Sequence, residues 1–445
     1  MEHHAKKAQV TASSPAARAL LALAEDLDKS QWYRPSELTA RQDSLLMALA
    51  AHAAEHSDHF AGRLKAAGLT PAALATPEGF ARLPIISKRD LQDAGQTLFS
   101  REIPADHGPA FTTKSSGSTG EPVVIKRTTV SQLDWMATTM RDHHWHERDF
   151  TGRLCAVRAQ SKGPTTGADW GAPVNLLYPS APALALPAAM PIGELAKHIA
   201  RFAPSYLVVY PSILEGLIGH LKAQDLEFSG LREIRLIGET FSQPARDNAA
   251  AFFKVKLTDL YSSQEVGNIA LQCPESGLYH VMAENIRVEI LDADDRACNP
   301  GEIGRVVVTD LRNFATPLMR YDLGDYAETA APCPCGRGLP TLARIAGRAR
   351  NLVVLPNGKR HWPQVGYGEY RKIAPIRQFQ LIQQDLHSIE VRLVADAAVS
   401  VEQEAALTAV IRRKLGYPFA LRFVYFSGRL PTGPGGKFEE FVCQA

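Results

Sequence analysis

SYLVVYPSILEGLIGHLKAQDLEFSGLREIRLIGETFSQPARDNAAAFFK, residues 205–254, sets the fold class. Its first run, Ser205 to Ser212, is a short buried-strand pattern, and the ILEGLIGHLKAQ that follows has helical spacing. A second strand run, Glu233 to Glu239, leads into the helical QPARDNAAAFFK. Strands that alternate with helices form parallel sheet with helices on its faces. The expectation is an α/β protein.

Upstream, the first hundred residues read as largely helical. LTARQDSLLMALAAHAAEHSDHFAGRLKAAG, residues 38–68, has apolar residues at helical spacing, Thr39 near its start and Gly68 at its end. Downstream, NIRVEILD and IGRVVVTD follow each other with no helix between and predict an antiparallel or barrel-like part. A boundary is expected near GRARNLVVLPNGKR. Beyond it lie a hairpin (LVVLPNGKRHW), a strand (SIEVRLVAD), a helix (VEQEAALTAVIRRKLG) and a strand (LRFVYFSG). The expected domains are a large one over 1–348 and a small α+β one over 349–445.

Composition narrows the function classes. The 445 residues are 45% apolar and 22% charged, ordinary for a globular chain. Net charge is +2, which gives no general polyanion-binding surface and speaks against a nucleic-acid binder. No 18-residue uncharged apolar run is present, so no membrane span is expected. ALLALA near the N-terminus is too short for a signal peptide and runs into EDLD. Six cysteines make no disulfide scaffold, which points to a reduced, cytoplasmic setting.

KSSGSTGEP, Lys114 to Pro122, is rich in hydroxyls and glycine. Glycine lets backbone amides approach a phosphate, and Ser and Thr add donors. The order of a Walker loop is absent. On composition alone, a surface linker and a phosphate cradle both stand.

Five segments in order resemble the adenylate-forming superfamily of acyl- and aryl-CoA ligases. SSGSTGEP resembles its phosphate loop, and YSSQE (Tyr261 to Glu265) its aromatic-G-x-T-E segment. RYDLGD (Arg320 to Asp325) resembles R-Y-x-x-G-D, IAGRAR (Ile345 to Arg350) the hinge, and LPTGPGGKF (Leu430 to Phe438) the terminal lysine loop. Ser262 and Gln264 depart from the usual Gly and Thr, and Arg350 from the usual hinge residue. VVYPSIL, GEIGRVVVTDLRNFATPLMRYDLGD and CPCGRGLP are similar to the phenylacetate-CoA ligase branch.

The resemblance implies a large adenylate-forming domain with a small mobile C-terminal domain. It implies ATP, Mg²⁺ and coenzyme A. A small carboxylic acid, with aryl acids slightly favoured, is adenylated and then passed to coenzyme A. A carrier-protein thiol or an amine as acceptor, or a nucleotide binder that has lost catalysis, are the other readings. The oligomeric state stays open, a homodimer included. By the same resemblance, Ser115, Ser116, Gly117, Ser118, Thr119 and Gly120 would cradle phosphates, and Glu265 with Thr119 would hold Mg²⁺. Asp325 would accept from the ribose diol, and Arg348 would reach the ribose or α-phosphate. Lys437 would stabilise charge on the α-phosphate. Gly238, Glu239 and Tyr261 would face the nucleotide, and Tyr210, Pro211 and Ser262 the acyl pocket. Lys126 reads either as an added charge or as an exposed strand lysine.

Two further groups stand apart. Cys273 and His280, with Cys333 and Cys335, supply three sulfurs and an imidazole, a tetrahedral zinc set; reduced structural thiols are the alternative. His143 and His146 share a helical face with no zinc motif around them, and read as a polar face near the substrate pocket. Trp145 and Trp170 stand either as pocket or as core aromatics.

Overall fold

The structure, a computed structural model, describes residues 13–114, 122–348, 351–363, 367–428, 430–431 and 438–445. It opens with helices α1 (Pro15–Ser30), α2 (Pro35–His56), α3 (Asp58–Ala67), α4 (Pro77–Ala81) and α5 (Lys88–Ala94). The helical stretch over 38–68 breaks at Ser57. That residue leaves helical geometry at φ −115°, ψ 112°, and its Oγ accepts from the Phe60 amide at 3.3 Å. A serine that can cap the next helix competes with continuation of the last one.

The hairpin β1 (Ala110–Lys114) and β2 (Val124–Thr128) follows, with Lys114 opposite Val124. Next come α6 (Thr129–Trp145), β3 (Leu154–Arg158), β4 (Thr165–Gly167), α7 (Val174–Leu177), β5 (Ala183–Pro187) and α8 (Ile192–Phe202). The quoted stretch forms β6 (Tyr206–Val209), α9 (Pro211–Gln224), β7 (Glu233–Leu236) and α10 (Gln243–Phe253). The run ends in β8 (Lys256–Ser263). Strands β5, β3, β6, β7 and β8 lie parallel in that order. All four residues of β6 are buried, as a strand covered by helices on both faces must be.

Six antiparallel strands extend this sheet beyond β8: β9 (Gly267–Gln272), β10 (Tyr279–Val281), β11 (Ile286–Leu291), β12 (Ile303–Asp310), β13 (Tyr321–Thr329) and β14 (Thr341–Arg348). β8 pairs in parallel with β7 and antiparallel with β9, so the ladder is continuous over 12 strands. The small C-terminal unit holds the hairpin β15 (Val353–Val354) and β16 (Arg360–His361), then α11 (Tyr367–Ile373), β17 (Ile376–Gln383) and β18 (Ser388–Ala395). It closes with α12 (Val401–Leu415), β19 (Ala420–Tyr425) and β20 (Phe441–Cys443). Its sheet order is β19-β18-β17-β20, around its own core of Phe379, Leu381, Val391 and Ile411. Among the described residues, no helix is long and apolar enough to cross a membrane.

Candidate active site

Parallel strands place their carboxyl ends at one edge, where open α/β sheets hold ligands. At that edge β3 ends in Arg158, β6 runs into Tyr210, β7 into Gly238 and Glu239, and β8 into Ser262 and Glu265. The predicted residues thus gather from segments far apart in sequence.

Tyr261, Asp325 and Arg348 form a line across β8, β13 and β14. The buried Tyr261 hydroxyl donates to Asp325 Oδ2 at 2.8 Å, and Arg348 Nε lies 3.2 Å from Asp325 Oδ1. Strand register sets Asp325 directly opposite Arg348. Burial and the adjacent Asp325 push the Tyr261 phenol far above its ordinary range, so it stays a donor. Burial works against the Arg348 charge, but Asp325, Glu439 and Glu265 outweigh it and hold the guanidinium charged. Gly347 beside it has φ +118°, and a Cβ there would stand 3.3 Å from the Trp362 ring. Only glycine takes that backbone without strain.

Glu265 is held from behind. The carbonyls of Gln264 and Glu265 accept from Arg127 Nη2 at 3.1 and 3.2 Å. Arg127 is 1% exposed and lies against the Trp135 ring, 4.8 Å from its centroid. Sequence reasoning missed Arg127; its only signal was its place in the strand after the glycine-rich loop. Lys126, expected to be exposed, is half-buried with Nζ 4.5 Å from the Phe99 ring centroid. Alternation along β2 turns it to that aromatic instead.

Glu239 accepts from Ser212 N at 3.0 Å, from Ser212 Oγ at 3.2 Å and from the Phe438 amide at 2.9 Å. The last bond ties the C-terminal segment to the site edge. Arg348 N donates to Asn351 Oδ1 at 2.8 Å, and the Asn351 amide donates to the Phe441 carbonyl, a second tie. Gly238 adopts φ +73°. Tyr210 is buried at the N-cap of α9, and Pro211 follows at its first turn. Ser262 is exposed near the end of β8. Ser115, Ser116, Gly117, Ser118, Thr119 and Gly120, together with Arg350 and Lys437, lie outside the described residues.

Cys273, His280, Cys333 and Cys335 come together, with all four ligand atoms within 4.8 Å of one another. Cys273 and Cys333 sulfurs are 3.8 Å apart, and Cys335 Sγ lies 3.3 Å from His280 Nε2. A tetrahedral zinc with bonds of about 2.3 Å to sulfur has S···S edges of roughly 3.8 Å, so the donor set fits that ion. His280 is fully buried and its pKa falls to about 4, mainly by burial, leaving a neutral imidazole.

The histidine pair is corrected from an open polar face to a buried one, and of the two readings for Trp145 the structure shows the core one. His143 and His146 are buried, inside a cluster of ion pairs. Trp145 donates to Gln31 Oε1 at 2.9 Å and packs edge-on against His280, under the cysteine cluster. Trp170 donates to the Gly152 carbonyl at 2.9 Å and lines a cavity on the sheet face.

No family model matches the chain. Two curated relatives are phenylacetate-coenzyme A ligases. That of Thermus thermophilus is 25% identical over 335 residues, 72% of each chain. That of Pseudomonas putida is 23% identical over 332 residues, 68% of this chain and 69% of its own. Among solved structures, 2-hydroxyisobutyryl-CoA ligase in the postadenylation state with 2-HIB-AMP matches with TM-score 0.71 at 18% identity. The match covers 91% of this chain and 89% of that one. The same enzyme with 2-HIB-AMP and CoA in the thioesterification state gives 0.60, over 92% and 90% of the chains at 18% identity. By sequence the chain is similar to phenylacetate-CoA ligases, and its fold is that of an adenylate-forming CoA ligase, in line with the resemblance to the adenylate-forming superfamily and its phenylacetate-CoA ligase-like branch.

Proposed function

We propose that the chain is an ATP-dependent, AMP-forming ligase that adenylates a carboxylic acid and transfers the acyl group to coenzyme A. The carrying observation is the Tyr261–Asp325–Arg348 line at the carboxyl edge of the sheet, with Glu265 beside it. In the first half-reaction an oxygen of the acid attacks the α-phosphorus, and the bond to pyrophosphate breaks. In the second, a thiol attacks the acyl carbon and AMP leaves.

Each residue has a part in this reading. A carboxylate offers about four lone-pair sites. Asp325 uses one for Tyr261 and one for Arg348, which leaves room for a ribose diol. Arg348 reaches the ribose or α-phosphate. Ser115 to Gly120 cradle the outer phosphates. Glu265 and Thr119 hold Mg²⁺, which would neutralise phosphate charge. The C-terminal segment reaches the site edge at Phe438, whose amide donates to Glu239. Lys437 would act at the α-phosphate, as the resemblance implies. Gly238, Tyr210, Pro211 and Ser262 wall the adenine and acyl pockets, with aryl acids favoured. Cys273, His280, Cys333 and Cys335 hold a structural zinc, since four protein ligands leave no open position.

The test is pyrophosphate release from ATP with a panel of acids, with and without coenzyme A. Acid-dependent release and an acyl-CoA product are expected. No release with any acid would favour the nucleotide-binding reading, and release without a thioester would point to a carrier thiol or an amine. Lys437→Ala is expected to slow release about 100-fold or more while ATP binding persists. Wild-type rates in that variant would remove the lysine from the mechanism.

A further inference from the structure

The sheet face behind the site holds a cavity of about 120 Å³, lined among others by Arg158, Arg235, Tyr206, Val208 and Trp170. Its charges do not balance. Arg148 is bonded to both oxygens of Glu233, the shortest contact 2.7 Å, and is paired with Asp142. Arg235 takes the same Asp142 at 2.8 Å, and its Nε has no partner among the described residues. His143 and His146 lose their charge to burial and bring no anion. Two carboxylates therefore face three guanidiniums, and Arg158 has no carboxylate among the described residues. Burial, its leading influence, lowers its pKa.

Place matters as much as charge. Arg158 ends β3, and β3 pairs in parallel with β6 so that Ala156 stands beside Val208. The next residue, Ala159, donates its amide to the Tyr210 hydroxyl at 3.4 Å. Tyr210 leads through Pro211 to Ser212, which binds Glu239. Arg158 thus stands one strand away from the residues assigned to the acyl pocket. A shielded guanidinium without an anion is costly, and a carboxylate meets its planar fork with two hydrogen bonds.

We propose that the acid accepted by this site is a compact dicarboxylic acid whose second carboxylate binds Arg158, with Arg235 behind it. This rests on the ligase reading above. The volume sets the scale: the cavity is smaller than the roughly 150 Å³ that admits benzene, so it takes the second carboxylate on a short arm with the rest of the acid outside it, and Tyr206 and Trp170 supply aromatic walls.

The experiment pairs each diacid with its monoamide: isophthalic acid with 3-carbamoylbenzoic acid, and glutaric acid with glutaramic acid. Pyrophosphate release should favour the diacid about tenfold or more in kcat/KM in at least one pair, the scale of one charge-assisted contact. Arg158→Met should bring that ratio to about one, acting through the KM for the acid and not for ATP. Arg158→Lys should restore part of it. Equal turnover of both pairs by the wild type, or an unchanged ratio in Arg158→Met, overturns the proposal. If no acid supports release, the ligase reading falls and thermal shift decides this one. Stabilisation by a diacid over its monoamide, lost in Arg158→Met, upholds the anion pocket; no difference overturns it. Should Arg158→Met not fold, Arg158→Gln takes its place in both arms.

Discussion

Asp325 joins three elements through one side chain. It accepts from Tyr261 and pairs with Arg348, so its charge both orients the guanidinium and remains open to a ligand. Asp325→Asn keeps the shape and removes the charge. Hydrogen bonds to charged groups contribute about 1.5–3 kcal/mol each. The variant should therefore lose roughly 100-fold in kcat/KM for ATP, read by ATP–pyrophosphate exchange. Tyr261→Phe removes a single donor and should lose about tenfold. If Asp325→Asn exchanges at the wild-type rate, the carboxylate has no part in nucleotide binding.

Two turns meet at the cysteine cluster. Cys273 follows β9 and His280 lies in β10, while Cys333 and Cys335 sit between β13 and β14. β10 pairs with β14, opposing His280 to Thr341, so the strands already bring the turns together. A zinc ion would lock that arrangement and stabilise the antiparallel half of the sheet. Elemental analysis of protein made in zinc-replete medium should find about one zinc per chain, and Cys335→Ser well below that. A chelator should lower the Tm of the wild type and leave that of Cys335→Ser nearly unchanged. Metal-free wild type would leave the four residues as reduced thiols.

The two units meet through carboxylates. Glu440, in the small unit, is pushed up to about 8 by burial, then by Glu215 and Glu239 of the large one. Glu215 rises to about 7, mainly by burial, with Arg371 opposing and Glu239 adding to the rise. Apart, both would titrate near the ordinary value of about 4.3. The docked form therefore holds more protons between about pH 4.3 and 8. Its stability is greatest at the acid end of that window and falls as pH rises, by up to about 1.4 kcal/mol per pH unit for each extra proton. Limited proteolysis of the small unit should accelerate between about pH 5 and 8 and level off above that, and Glu440→Gln should flatten the trend. Slower cleavage at higher pH would contradict this account.

Local information settled much of this protein. Period and caps in 205–254 are enough for parallel strands with covering helices, because backbone hydrogen bonding and side-chain alternation act within a few residues. Tyr261, Asp325 and Arg348 were reached through the resemblance to a known family, each within a short motif. The break at Ser57 was written there too, in a cap stronger than the apolar period around it. Tertiary structure alone decided the rest. Arg127 stands behind Glu265, Cys333 beside Cys273 and Glu440 beside Glu215 only because distant segments pack together. Arg158 is the sharpest case. In sequence it is one arginine among many, in a chain of net charge +2. Whether a charge is balanced depends on which partners share its buried space, and no local pattern carries that.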